Sequence, residues 1–229
     1  IHHKEEKFTM KLKKIASLAL AGVMAVSMLA GCSDKGGASS EGQNDEPTGV
    51  NAAAVIAALD EDTTKNVTFS ASSDLQKTLE DAIKVANGAE KTVDVSALKK
   101  IDSDLNDTKL PIAANDSDMD SSELKKQNFT FVKTVGGDKK NADDYTEKYI
   151  VSALADDIDK ATVTADFKAW KDLPLKSDEY TSKDDGSKFT VSFAYTAEVA
   201  VSTATSINGD CIVYAVVNVT RTPTRVAAE

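Results

Sequence analysis

An alternating run near the C-terminus constrains this chain most. From Lys188 to Ser202, Phe189, Val191, Phe193, Tyr195, Ala197, Val199 and Val201 are apolar, while Lys188, Thr190, Ser192, Thr196, Glu198 and Ser202 between them are mostly polar. A period of two puts successive side chains on opposite faces, so the run predicts one long strand with a single buried face. Cys211, Val213, Ala215, Val217 and Val219 repeat the pattern in a following strand. The turn between them holds Ile207-Asn208-Gly209. A two-residue Asn-Gly turn would set odd positions opposite even ones and mismatch the apolar faces. A three-residue loop with a left-handed Gly209 keeps odd opposite odd, which predicts a hairpin with a bulge at Gly209. Asp185-Gly186 marks an earlier hairpin turn, joining a strand over Asp178 to Ser182 onto the same sheet.

The preceding chain mixes helical and extended patterns. Asn51 to Leu59 is Ala-rich and helical, and Asn66 to Ala71 alternates as a strand. Ser73-Asp74-Leu75-Gln76 resembles a capping box, with Leu75, Leu79, Ala82, Ile83 and Ala86 at helical spacing and Gly88 as the stop. Thr92 to Val95 reads as a strand, and Ala97 to Leu105 as a short helix. Asn128 to Val135 alternates, Gly136-Gly137 breaks it, and Asn141 can cap a helix to Lys160 with Ile150, Ala153, Leu154 and Ile158 on one face. The fold class expected is α+β: one or two helices on a largely antiparallel sheet centred on the Lys188 to Arg221 hairpin. Residues 51–229 are enough for one domain, or for two small subdomains over 51–127 and 128–229.

Ahead of that region the chain carries an address. Lys11, Lys13 and Lys14 form a basic stretch, Ile15 to Met28 is uncharged and apolar, and small residues follow, the layout of a secretory signal. Leu29-Ala30-Gly31-Cys32 resembles the lipobox of bacterial lipoproteins. The resemblance implies a diacylglycerol on the Cys32 thiol, signal cleavage between Gly31 and Cys32, and a lipid-anchored protein on the extracytoplasmic face of the cell membrane. A spanning helix is the competing reading, but Gly22, Gly31 and several Ala and Ser make the stretch weakly apolar. Met10 reads as the start, with residues 1–9 a non-translated leader and 10–31 the signal peptide. Ser33 to Gly49 is Gly/Ser-rich and acidic, so residues 32–50 read as a flexible tether.

Composition removes several chemistries. His2 and His3 are the only histidines, and both precede Met10. A mature chain beginning at Cys32 therefore has no Ser-His-Asp or Cys-His nucleophile and no imidazole metal ligand. Subtracting the five lysines and two glutamates of residues 1–31 from the 27 basic and 37 acidic residues leaves 22 against 35, a formal charge of −13. That balance disfavours nucleic acid, whose recognition depends on basic side chains meeting phosphates. With Cys32 acylated, Cys211 has no intrachain partner and is expected as a buried packing thiol.

The remaining motifs are weak. Asp116, Asp118 and Asp120, followed by Glu123, form an oxygen cluster of the kind that holds calcium, but the glycine and bidentate glutamate of an EF-hand loop are missing where Ser121 and Gln127 stand. They read as a solvated acidic loop, and no metal is expected. Ser96/Lys99 and Ser122/Lys125 match S-x-x-K without its companion motifs. The pairs Asp143/Asp144, Asp156/Asp157 and Asp184/Asp185 define no cleft. Trp170, Tyr180, Tyr195 and Tyr214 are the sugar-stacking candidates, each more ordinary as a core or sheet residue. The expectation is a non-catalytic lipoprotein that binds a protein or cell-envelope partner or contributes to envelope architecture, without cofactor; the alternative is a small-ligand or ion-binding lipoprotein for transport or sensing.

Overall fold

The structure is a computed structural model that describes residues 49–87, 92–105, 118–119, 124–137, 145–171, 179–205 and 211–228. Helices α1 (Ala52–Ala58) and α2 (Glu61–Thr64) lead to strand β1 (Thr68–Ala71), helix α3 (Ser73–Asn87) and helix α4 (Val95–Ile101), which ends in a 3-10 turn over Ser103–Leu105. Then come β2 (Asp118–Met119), β3 (Gln127–Gly137), α5 (Glu147–Thr162), α6 (Ala165–Lys171), β4 (Tyr180–Ser182), β5 (Lys188–Thr205) and β6 (Cys211–Ala227). This is an α+β fold around one six-stranded mixed sheet, ordered β2-β4-β5-β6-β3, with β1 parallel to β5. Residues on both sides of position 127 contribute strands to that sheet.

The β5–β6 hairpin is its axis. Thr205 faces Cys211 and Val199 faces Val217, so odd positions do stand opposite odd ones. Gly209, Asn208 and Ile207, on which the predicted bulge rests, lie outside the described residues. At the other end of β5, Ser187 O accepts from Ser182 N at 2.8 Å, Ser182 O accepts from Gly186 N at 2.8 Å, and Gly186 takes φ +71°, as an Asp-Gly turn requires.

The single buried face expected of this hairpin is corrected by the structure. One face packs Ala197, Val199, Val201, Val213, Ala215, Val217 and Val219 against α1, α5 and α6. The other packs Ala200, Ala204, Tyr214 and Val216 against Leu75, Leu79 and Ile83 of α3 and Leu98 of α4. The sheet centre is thus covered on both sides. The cause is β6, which is apolar at almost every position from Ile212 to Val219, a composition suited to burial on both faces.

Three local expectations also change. Thr92 to Val95 is not a strand: the Asp94 carboxylate accepts from Ala97 N at 2.8 Å and starts α4 there. Gly136-Gly137 does not break β3, which continues through both residues opposite Ile212 and Cys211. Glycine is required at 136 by proximity, since a Cβ would lie 2.3 Å from Cys211 O and 2.7 Å from Ile212 Cα. The cap of α3 is Ser72, whose Oγ accepts from Leu75 N at 3.3 Å, not Ser73. Gln76 is thereby released from a capping role. Its amide extends the sheet instead, donating to Val201 O at 3.0 Å and accepting from Val201 N at 3.1 Å. Beyond β1, then, the edge of β5 is completed by Ser72 N donating to Val199 O and by a side chain. Helix α5 is capped by Thr146, whose hydroxyl accepts from Tyr149 N at 3.2 Å; Asn141 and Gly88, the predicted cap and stop, lie outside the described residues. Among the described residues no helix is long and apolar enough to cross a membrane.

Candidate functional site

Helix α5 has two useful faces because its sequence is periodic in two ways. Ile150, Leu154, Ile158 and Ala161 are buried against the sheet. Tyr149, Ser152, Asp156 and Lys160, three or four residues apart, form a second stripe beside the first. That stripe, with Ala153 and Asp157, faces Thr134, Val135 and Gly136 at the end of β3 across an open groove of about 470 Å³, and Tyr145 closes one end. Strand β3 terminates the sheet on this side. The Tyr145 and Tyr149 rings meet edge to face, 5.7 Å between centroids, and Tyr149 keeps 52% of its surface exposed. At the other end Lys160 Nζ pairs with Asp157 at 3.3 Å, both exposed, whereas Asp156 has no ion pair among the described residues. The groove therefore combines an exposed aromatic ring, the Ser152 hydroxyl and the Asp156 carboxylate. Its volume falls within the roughly 300–1,000 Å³ of small-molecule sites.

Two other polar or aromatic clusters serve the fold. Arg221, 1% exposed, lies over the Phe193 ring at 4.4 Å and donates through one guanidinium nitrogen to the Trp170 and Lys171 carbonyls at 3.3 and 3.1 Å. Tyr195 Oη donates to the same Lys171 carbonyl at 2.9 Å. Between them these side chains satisfy the end of α6 and hold Trp170 against Phe129 and Phe167. In the second cluster, Asp185 Oδ1 accepts from Ser187 N at 3.0 Å, from Ser187 Oγ at 2.6 Å and from Arg225 at 3.3 Å. Arg225 also donates to Ser187 Oγ and Ser182 Oγ. The Ser187 hydroxyl and amide, then the Ser182 hydroxyl and Arg225, hold the Asp185 carboxyl far below the ordinary carboxylate range. A carboxylate so stabilised is a poor general base near neutrality, and the cluster clamps the β4–β5 turn.

The sequence-predicted candidates are scattered. Leu29, Ala30, Gly31 and Cys32 lie outside the described residues, as do Asp116, Asp120, Ser122, Asp143 and Asp144. Asp118 sits on β2 opposite Thr181. Among the described residues no three of His, Cys, Asp and Glu converge as a metal site. Ser96 is exposed on α4. Cys211 corrects its expectation in burial: at the start of β6 it is half-buried rather than fully buried. Of the predicted aromatics, Tyr180 and Tyr214 are buried, and Trp170 and Tyr195 pack against the core. The exposed aromatic is Tyr149, which the sequence reading did not single out. Its signal was present as the Tyr149/Ser152/Asp156 spacing next to an apolar stripe, but nothing in the sequence said that β3 would stand opposite it. The chain matches no protein-family model, no curated protein and no solved structure.

Proposed function

We propose that this protein is a non-catalytic binding module, held by a lipid on Cys32 at the extracytoplasmic face of a bacterial membrane, that engages an envelope partner through the groove between α5 and β3. The observation that carries the binding role is the groove itself: an open, mostly polar furrow with a half-exposed tyrosine at the edge of the sheet. Anchoring rests on the basic stretch, the apolar run and the Leu29-Ala30-Gly31-Cys32 motif. An acidic domain is repelled by anionic headgroups, so a tether over 32–50 would hold the groove away from the bilayer and open to a partner.

Acylation turns the Cys32 sulfur into a thioether, and the chain has only two cysteines. A lipidated molecule and one with an intrachain disulfide at Cys211 are therefore alternatives, and intact mass distinguishes them. Mature protein from the membrane fraction is expected to begin at Cys32 with two or three acyl chains, and Cys32→Ser to release the protein from the membrane. A mature chain uncut between Gly31 and Cys32, or one whose two cysteines are joined, refutes the anchor. For the binding role, thermal unfolding of the full chain in detergent against envelope fractions is the test. Ligand at about 100 times its dissociation constant adds roughly 2.7 kcal/mol, a shift of several degrees in midpoint.

A further inference from the structure

We infer that the α5–β3 groove binds a short neutral oligosaccharide, one sugar ring stacking on Tyr149 and the next giving its hydroxyls to Asp156. This inference names the ligand class of the binding reading above and rests on it. A sugar ring has an apolar C–H face and a rim of hydroxyls, so a protein site for it needs a flat exposed aromatic with hydrogen-bonding groups alongside. Tyr149 supplies the first: it is half-exposed, and the edge-to-face packing of Tyr145 fixes its ring. Ser152, one turn on, supplies a hydroxyl that both donates and accepts. Asp156, two turns on, supplies an acceptor for paired hydroxyls. Seven residues separate Tyr149 from Asp156, about 10 Å along the helix, so the site is elongated and suits linked rings better than a single one.

The same observations weigh against other ligands. A peptide held by side-chain anchors needs an apolar socket, and the aliphatic lining here is only Val135 and Ala153, with Val135 already buried. An anionic polymer meets Asp156 and Asp157 with one lysine already committed to Asp157, on a chain of net charge −10. A neutral sugar meets neither obstacle.

The test is isothermal titration of the full chain in detergent with N-acetylglucosamine oligomers of two to four units and with cello-oligosaccharides of the same lengths. Saturable binding that strengthens from two units to three is expected. Tyr149→Ala should weaken it about tenfold or more, and Asp156→Asn, an exposed change that leaves the core intact, several-fold. Trp170 emission reports whether each variant keeps its fold, since that residue is the only tryptophan and lies outside the groove. Absence of saturable binding by every sugar, or binding that both substitutions leave unchanged, overturns the inference. A photo-crosslinking residue at position 149 separates this failure from that of the wider reading. A crosslink to an envelope protein, with all sugars silent, overturns the saccharide but keeps the binding module; silence in both assays overturns both.

Discussion

Replacing Gln76 by Ala should destabilise the protein out of proportion to the size of the change, because a side chain here stands in for a strand. The Gln76 amide makes two hydrogen bonds to the Val201 backbone, at 3.0 and 3.1 Å, and Val201 is 3% exposed. Each bond is worth about 1 kcal/mol net, and each backbone group left unsatisfied in a buried place costs about 1–3 kcal/mol. If water reaches one of the two groups and not the other, the loss is about 2–4 kcal/mol. For a domain of this size that lowers the melting midpoint by about 5–15 °C. Urea unfolding followed by circular dichroism measures it directly. Lys77→Ala, one residue along and bearing only an exposed ion pair to Asp81, is the control and should leave the midpoint essentially unmoved. Gln76 Nε2 also donates to Glu80 Oε1 at 3.0 Å, so Gln76→Glu is made in a Glu80→Gln background, where it separates hydrogen bonding from size: a carboxylate still accepts from Val201 N but cannot donate to Val201 O. Its deficit should be present at pH 7 and shrink in acid, where the protonated group can donate. A Gln76→Ala loss below about 0.5 kcal/mol, or a Gln76→Glu deficit that does not change with pH, would refute the assignment of the Gln76 amide as the neighbour of Val201.

Gly136→Ala should cost about 1–3 kcal/mol or more, because its methyl would run into the backbone of residues 211 and 212, whereas Gly186→Ala, at φ +71° in open space, should cost only about 1 kcal/mol; equal losses in chemical unfolding would contradict this order. Arg221→Met keeps much of the side-chain volume but loses the bonds to the end of α6; a loss of about 1.5–3 kcal/mol is expected, with a red shift of Trp170 emission that an undisturbed α6 would not show. Two carboxylates should act oppositely on the pH dependence of stability. Asp185, lowered chiefly by the Ser187 hydroxyl, stabilises the fold above its unfolded pKa of about 3.9 and loses that contribution as pH falls toward the folded value, so Asp185→Asn should flatten the acid limb. Asp159 is raised by burial, against the opposing bonds from Thr63 and the Asp60 amide; its contribution is present below the unfolded pKa of about 3.9 and lost as pH rises through the folded one, so Asp159→Asn should gain stability relative to the unsubstituted protein as pH rises above that unfolded value.

Much of the secondary structure was legible from local chemistry. The long hairpin strands, the odd-to-odd register, the Gly186 turn, the first Ala-rich helix and the core stripe of α5 follow from period, turn residues and apolar matching, all of which act between near neighbours in sequence. Where the reading failed, a local signal had more than one outlet. Ser73-to-Gln76 has the composition of a capping box, yet Ser72 caps and Gln76 reaches a strand 125 residues away. Thr92 to Val95 has strand-forming residues, but Asp94 can cap a helix and does. Gly136 looks like a breaker in sequence, while in the sheet it is the residue that fits beneath the Cys211 carbonyl.

By itself, then, the sequence determined the α+β class, the hairpin at its centre, the acidic balance of charge and the scarcity of histidine, and it carries the Leu29-Ala30-Gly31-Cys32 motif on which the proposed anchor rests. The tertiary structure alone decided that both faces of the sheet are covered, that Arg221 and Arg225 serve to hold a helix end and a turn, and that Tyr149 and Asp156 face the end of β3 across a groove. The physical reason is range. Period, caps and turns are set by atoms a few residues apart, whereas a groove is made by two elements whose meeting depends on the order of strands in the sheet, and no local energy encodes that order.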